Sequence, residues 1–119
     1  MNDYLNDFTN HLKEAMSIGE EANIKTSKKT FNNILICGLG GSGIGGTIVK
    51  DIISPLAKIP ILSTKDYNIP NFVDEKTLII ASSYSGSTEE TISALKKSQI
   101  RNAEICIITS GGELKNIAE

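Results

Sequence analysis

Two short segments, rich in glycine and hydroxyl side chains, have the composition that holding an anion requires. The first, Gly38–Gly46, is called here the glycine loop, and the second, Ser82–Thr88, the serine loop. Glycine lets the backbone approach a ligand without a Cβ in the way, and each hydroxyl can donate one hydrogen bond. Neither loop contains a lysine or an arginine, so an anion would be held by backbone N–H groups and hydroxyls.

Each loop follows a short apolar run that predicts a buried strand. The runs are Ile34–Cys37, Leu78–Ala81 and Glu104–Ile108, the last followed by Thr109–Gly112, called here the third loop. Near-continuous β-branched runs without alternation are typical of parallel strands covered on both faces. A weaker run, Ile59–Leu62, contains a proline that cannot donate to a ladder, so we place it at an edge.

Helical patterns separate these strands, and strands alternating with helices predict an α/β, doubly wound parallel sheet with right-handed crossovers. One helix is indicated by an apolar stripe and ends before Pro55; the stripe consists of Ile44, Ile48, Val49, Ile52 and Ile53. Another is marked by Ile92 and Leu95. Its start has the capping-box spacing, with Ser87 as the candidate N-cap and Glu90 three residues later.

The two ends of the chain differ from this pattern. Residues from about Asn2 to Lys25 have the apolar spacing of one amphipathic helix, so we expect an N-terminal helix and linker over 1–30. Residues 31–119 are then one partial domain, truncated to about four strands because the short helical segment 113–119 has no strand after it. Its last strand would be an exposed edge, which favours self-association into a homo-oligomer.

Composition excludes several classes of partner. The chain has 119 residues, a net charge of −2 and a pI of about 5.4, so nothing favours nucleic acid or an anionic membrane surface. No apolar run is long enough to span a bilayer and the start is acidic, which predicts a cytoplasmic protein. Cys37 and Cys106 lie in predicted strands without metal-ligand spacing, so we expect reduced thiols and neither metal nor cofactor.

A phosphate fits the predicted ends of these strands. In parallel sheets ligands bind beyond the carboxyl ends, where helix N-termini offer free N–H groups and a partial positive charge. Ser83 and Ser85 would point to one side of an extended segment, and Thr88 would lie in the first turn of the next helix, facing the same anion. Two alternatives remain: the small residues only form turns, or the G-x-G-x-x-G spacing from Gly38 binds a dinucleotide. The second fits poorly, because Lys58 stands where that fold has an acidic residue.

The segments Gly40–Gly46 and Ser83–Thr91 resemble the two signatures of the sugar isomerase (SIS) domain. More closely, they are similar to the N-terminal domain of bifunctional phosphoglucose/phosphomannose isomerases, as are Asp66–Pro70 and the third loop. One departure is Ser87, where that subfamily usually has asparagine.

The resemblance implies a flavodoxin-like five-stranded parallel sheet and a metal-free aldose–ketose isomerase, usually dimeric. It implies that fructose 6-phosphate, glucose 6-phosphate and mannose 6-phosphate are the ligands. The family's phosphate contacts match Gly41, Ser42, Ser83, Ser85 and Thr88. The family's catalytic glutamate, histidine, lysine and arginine lie beyond the matching part, so this chain is expected to bind substrate without turnover and to hold no catalytic residue. Two alternatives stay open, a non-catalytic sugar-phosphate sensor and a dinucleotide-binding Rossmann domain.

Other polar residues have structural explanations. Glu89 and Glu90 would stabilise the first turn of a helix. The remaining candidates are predicted to be surface or packing residues: His11, Lys65, Tyr84 and Arg101.

Overall fold

The chain forms a parallel sheet with flanking helices, and the computed structural model describes residues 2–119. The strands are β1 (Asn33–Cys37), β2 (Ile61–Thr64), β3 (Thr77–Ser83) and β4 (Glu104–Thr109). They stand in the order β2-β1-β3-β4, and every pairing is parallel. The predicted α/β class is confirmed, and the strand that follows Pro60 lies at an edge as expected.

Four helices complete the described part of the chain: α1 (Asn2–Glu21), α2 (Gly40–Ile53), α3 (Glu89–Ile100) and α4 (Gly112–Ala118). Helix α1 ends at Glu21, four residues before Lys25, where the sequence predicted its end. None of the helices in residues 2–119 is long and apolar enough to cross a bilayer.

Helices α2 and α3 cover opposite faces of the sheet, because successive strand side chains point in opposite directions. Leu35 and Cys37 of β1 pack in one cluster with Ala94 of α3. Ile36, between them in sequence, lies against Gly46 of α2, where an added Cβ would be only 2.7 Å from its Cγ2. The chain therefore winds outward in both directions from β1 and β3. The gap between these two strands is the switch point at which doubly wound sheets bind ligands.

The buried core lies mainly on the α3 face. Its two clusters contain Leu35, Cys37, Ile69, Val73, Ile79 and Ala94, and Ala81, Ile92, Leu95 and Leu114. On the other face, α2 turns its glycines Gly43 and Gly46 toward the sheet and leaves its apolar stripe exposed. Ile48 and Ile52 keep 53% and 63% of their surface accessible, so this stripe adds little to the core of the isolated chain.

Helix α1 contributes nothing to the core. Its described side chains, Asp3–Glu21, are all exposed, including the apolar stripe of Leu5, Phe8, Leu12 and Met16. The linker that follows lies near β4, where Lys29 forms an ion pair of 3.1 Å with Glu104.

Candidate functional site

The glycine loop and the serine loop leave the same edge of the sheet from neighbouring strands. Cys37, the last residue of β1, pairs with Ala81 of β3, which runs two residues further to Ser83. The glycine loop follows Cys37 directly, and the serine loop begins in the last two residues of β3. Both loops therefore border the switch point between β1 and β3.

Within the serine loop, the three predicted hydroxyls form one hydrogen-bonded cluster. Ser83 Oγ lies 2.8 Å from Thr88 Oγ1 and 3.5 Å from Ser85 Oγ, and it accepts a bond of 3.2 Å from the Gly86 N–H. Ser83 is 3% exposed, so its hydroxyl lies beneath the loop surface, where these contacts hold the loop in shape. The structure thus brings together the three serine-loop residues that the sequence singled out.

Ser85 is the member of this cluster whose proton is free for a ligand. Its side chain is exposed, and its Oγ accepts a bond of 3.2 Å from the Ser87 N–H. Since that oxygen already accepts, its own O–H can donate outward. At 3.5 Å, the contact with Ser83 is too long to compete strongly for the proton.

The third loop supports the serine loop from the β4 side. The backbone N–H of Ser110 donates to Tyr84 O at 3.2 Å, and Leu114 N–H donates to Gly86 O at 2.9 Å. The contact is close enough to require glycine, since a Cβ on Gly86 would lie 1.7 Å from Gly111 O. The third loop therefore fixes the shape of the serine loop.

The glycine loop presents the N-terminus of α2. Its N-cap, Leu39, is extended and provides no side-chain hydrogen bond, and the first turn contains no acidic residue. The turn closes when Gly43 N–H donates to Leu39 O at 3.2 Å, which leaves the preceding N–H groups without helical partners. Such free N–H groups, with the helix dipole, favour an anion.

Gly41 and Ser42, the two remaining site candidates, lie in this first turn. Gly41 is exposed, and an added Cβ would meet open space, while Ser42 is half-buried. Their side of the site therefore offers backbone donors to solvent. Gly43, one residue later, faces inward, where a Cβ would lie 2.8 Å from Gly38 O.

The start of α3 differs from the predicted capping box. The N-cap is Thr88, one residue after the predicted Ser87, and it makes no side-chain cap hydrogen bond. Its hydroxyl is paired with Ser83 instead. Because the helix begins one residue late, Ser87 lies outside the N-cap position that the predicted capping box requires.

Two carboxylates lie in the first turn of α3. Tyr67 Oη donates to Glu89 Oε2 at 3.3 Å. The charge of Glu90 raises the pKa of Tyr67, with smaller contributions from desolvation and from Glu89. Because these acids neutralise the positive end of the α3 dipole, α3 is a weaker anion-binding end than α2.

The remaining polar candidates fall in different places. His11 and Tyr84 are exposed. Arg101 is half-buried, and its guanidinium donates to Pro70 O at 2.7 Å, so it fixes the connection between β2 and β3. Lys65 follows β2 immediately, and its Cε lies 3.4 Å from the position of a Cβ on Gly43. Lys65 is exposed, as the sequence predicted for a surface charge, and its position one residue after a strand could also have indicated this edge.

The comparisons with known proteins agree with this geometry. A SIS domain family model matches residues 29–115. A bifunctional phosphoglucose/phosphomannose isomerase from Caldicellulosiruptor bescii is 43% identical over 108 residues, which cover 91% of this chain and 32% of the relative. A D-glucosamine-6-phosphate 4-epimerase from Sulfolobus acidocaldarius is 42% identical over 92 residues, which cover 76% of this chain and 28% of the relative.

A solved structure agrees in fold. A protein from Clostridium difficile 630, provisionally assigned as a phosphosugar isomerase, superposes with a TM-score of 0.81 at 21% identity. The match covers 98% of this chain and 35% of that one. The chain spans about a third of the length of the curated relatives it matches.

Proposed function

Because the chain belongs to the SIS domain family, we propose that its two loops bind the phosphate of a hexose 6-phosphate. The family match over residues 29–115 confirms the SIS resemblance that was inferred from the sequences of those loops. The proposed ligands are fructose 6-phosphate, glucose 6-phosphate and mannose 6-phosphate. The proposed contacts are Gly41, Ser42, Ser83, Ser85 and Thr88. The observation that supports this assignment best is the placement of both loops at one edge of neighbouring strands.

The two sides of the proposed site provide different donors. On the α2 side, the uncapped first turn offers N–H groups from Gly41 and Ser42, aligned with the helix dipole. On the β3 side, the O–H of Ser85 can donate outward, while the hydrogen bond between Ser83 and Thr88 uses the proton of one hydroxyl and leaves the proton of the other for an anion. A phosphate presents several acceptor oxygens, so it can accept from both sides at once.

The proposed reaction of the longer protein is aldose–ketose isomerisation, with this chain holding the phosphate. In the described residues, the two carboxylates nearest the serine loop in sequence lie in the first turn of α3, one of them bonded to Tyr67. That arrangement gives neither the role of a base against a substrate C–H. We therefore propose that the chain alone binds sugar phosphate without turnover. Measurable isomerase activity of the purified chain would contradict this.

The epimerase relative supports a second reaction for the same site. Isomerases and epimerases of hexose 6-phosphates both need the substrate held by its phosphate while the chemistry occurs elsewhere on the sugar. Since the loops contact only the phosphate in this proposal, they suit either reaction.

Calorimetric titration with fructose 6-phosphate tests the binding proposal. Ser85→Ala removes the outward donor and should weaken binding about ten- to a hundredfold, or about 1.5–3 kcal/mol. Ser17→Ala, on the exposed face of α1, is the matched control and should bind like the parent. Equal affinities of parent and Ser85→Ala would remove the serine loop from the site. A thermal shift with NAD but not with sugar phosphate would favour the dinucleotide alternative.

We also propose that residues 1–30 are an N-terminal helix and linker and residues 31–119 a partial SIS domain, in a cytoplasmic protein. We further propose that copies of the chain associate, since the apolar stripes of α1 and α2 are both exposed in the described chain. Phe8→Glu would place a charge in the α1 stripe and should shift a dimer toward monomer in light scattering. A parent chain that stays monomeric at high concentration would overturn the proposal of a homo-oligomer.

A further inference from the structure

Lys65 brings a positive charge to the edge of a site whose two loops contain none. It directly follows β2, which runs parallel to β1 with Thr64 paired to Cys37. Its Cε lies 3.4 Å from the position of a Cβ on Gly43, in the first turn of α2. The ammonium group is one bond further along the side chain, so it lies beside the first turn of α2 on the β2 side.

Lys65 forms no ion pair with a neighbouring carboxylate among the described residues. None of the ion pairs formed within residues 2–119 includes this lysine. The carboxylates of Asp66 and Glu90 line the same small void as Lys65, yet neither forms an ion pair with it. An ammonium left unpaired beside a helix N-terminus is available to an anion bound there.

A second unmet polar group lines the same void. Thr91 is 2% exposed, and its Oγ1 has no hydrogen-bond partner among the described residues. The void also borders Gly38, where the glycine loop begins. Buried polar groups are normally paired, so this part of the site is short of one polar partner.

We propose that Lys65 contacts the bound phosphate from the β2 side and gives the site its preference for a dianion. The inference rests on the proposed function. A phosphate at the α2 N-terminus would have the serine loop on its β3 side and Lys65 on its β2 side. The attraction to every donor grows with the charge of the anion, but the ammonium carries a full positive charge where N–H groups and hydroxyls carry only partial ones, so Lys65 widens the difference between a dianion and a monoanion.

Lys65→Gln tests the proposal, with Lys58→Gln as the matched control. Both substitutions remove one positive charge, but Lys58 precedes β2 and therefore lies toward the opposite edge of the sheet. In titrations with fructose 6-phosphate at low salt, Lys65→Gln should raise the Kd about 5- to 20-fold. Lys58→Gln should change it less than about twofold. Lys65→Arg should retain most of the affinity, and added salt should weaken the parent more than Lys65→Gln.

Each outcome decides a different point. If Lys65→Gln and Lys58→Gln change the Kd equally, the effect is one of net charge, and Lys65 has no place in the site. If Lys65→Arg loses as much affinity as Lys65→Gln in a chain of unchanged circular dichroism, the role is not electrostatic. If the parent chain itself binds no sugar phosphate, the proposed function fails and this inference fails with it. Normal binding by the parent and by Lys65→Gln overturns only the role of Lys65.

Discussion

Gly86→Ala would test whether the serine loop depends on its contact with the third loop. Gly86 has a φ of +68°, a left-handed conformation that costs other L-residues about 1–2 kcal/mol. An added Cβ would lie 1.7 Å from Gly111 O and 2.7 Å from Thr109 Oγ1. Because a backbone oxygen cannot yield by rotating, the two loops would have to move apart.

The size of the effect follows from the bonds that this separation would break. Leu114 N–H donates to Gly86 O at 2.9 Å, and Ser110 N–H donates to Tyr84 O at 3.2 Å. At about 0.5–1.5 kcal/mol each, together with the left-handed backbone, the loss is about 2–5 kcal/mol. A small domain has only about 5–15 kcal/mol in total, so the substitution should lower the free energy of unfolding visibly.

Urea unfolding followed by circular dichroism measures that loss. Gly45→Ala is the control, because it lies in α2 with open space around the added methyl group. It should leave stability unchanged or raise it by up to about 1 kcal/mol. A Gly86→Ala chain whose free energy of unfolding lies within about 0.5 kcal/mol of the parent would refute a locked contact between the loops.

Three further substitutions or labels probe the packing around the site. Gly46→Ala puts a Cβ 2.7 Å from the Ile36 side chain of β1 and should lower the free energy of unfolding by about 1–3 kcal/mol. The same urea series measures this, and an unchanged free energy would mean that α2 can shift freely. Thr91→Val removes a buried, unpaired hydroxyl and should stabilise by about 1 kcal/mol, whereas a loss would reveal a missed partner. Burial raises the pKa of the Cys37 thiol to about 12, so a thiol reagent at pH 8 should modify Cys106 first, as peptide mapping would record. Earlier labelling of Cys37 would contradict the burial of β1.

The fold could be predicted because its signals are local. Runs of β-branched residues followed at once by small residues indicated β1, β3 and β4, and Pro60 indicated an edge strand. The spacing of apolar residues located α2 and α3. These signals depend on the geometry of single elements, which the sequence states directly.

The orientation of α2 could not be predicted in this way. Its isoleucines suggest a buried stripe, yet the buried residues of α2 are Gly43 and Gly46. The reason is close approach, because a Cβ on Gly46 would meet Ile36 of β1 and a Cβ on Gly43 would meet Gly38 O of the glycine loop. A pattern of hydrophobic residues reports which face is apolar, but not which face a neighbouring strand can approach most closely.

Details of the serine loop also depend on contacts between distant residues. Thr88 is the N-cap in place of Ser87, and its hydroxyl is paired with Ser83 and makes no cap hydrogen bond. Gly86 adopts its conformation against a loop that follows a different strand. Ser83 lies five residues before Thr88, outside the positions that capping rules relate, and Gly111 lies in the loop after β4, so local rules of capping and turns did not include them.

The two helix ends beside the switch point are not equivalent, and this difference bears on where an anion would bind. The first turn of α3 contains Glu89 and Glu90, which stabilise that helix and offset its positive end. The first turn of α2 contains no acidic residue, and Lys65 lies beside it. A phosphate shared equally between the helices would meet two carboxylates. One placed toward α2 would meet free N–H groups and the ammonium of Lys65, which shares its void with Asp66 and Glu90 but forms no ion pair with either. We infer that the electrostatics draw the phosphate toward α2, so that the serine loop orients it and the α2 side supplies most of the attraction.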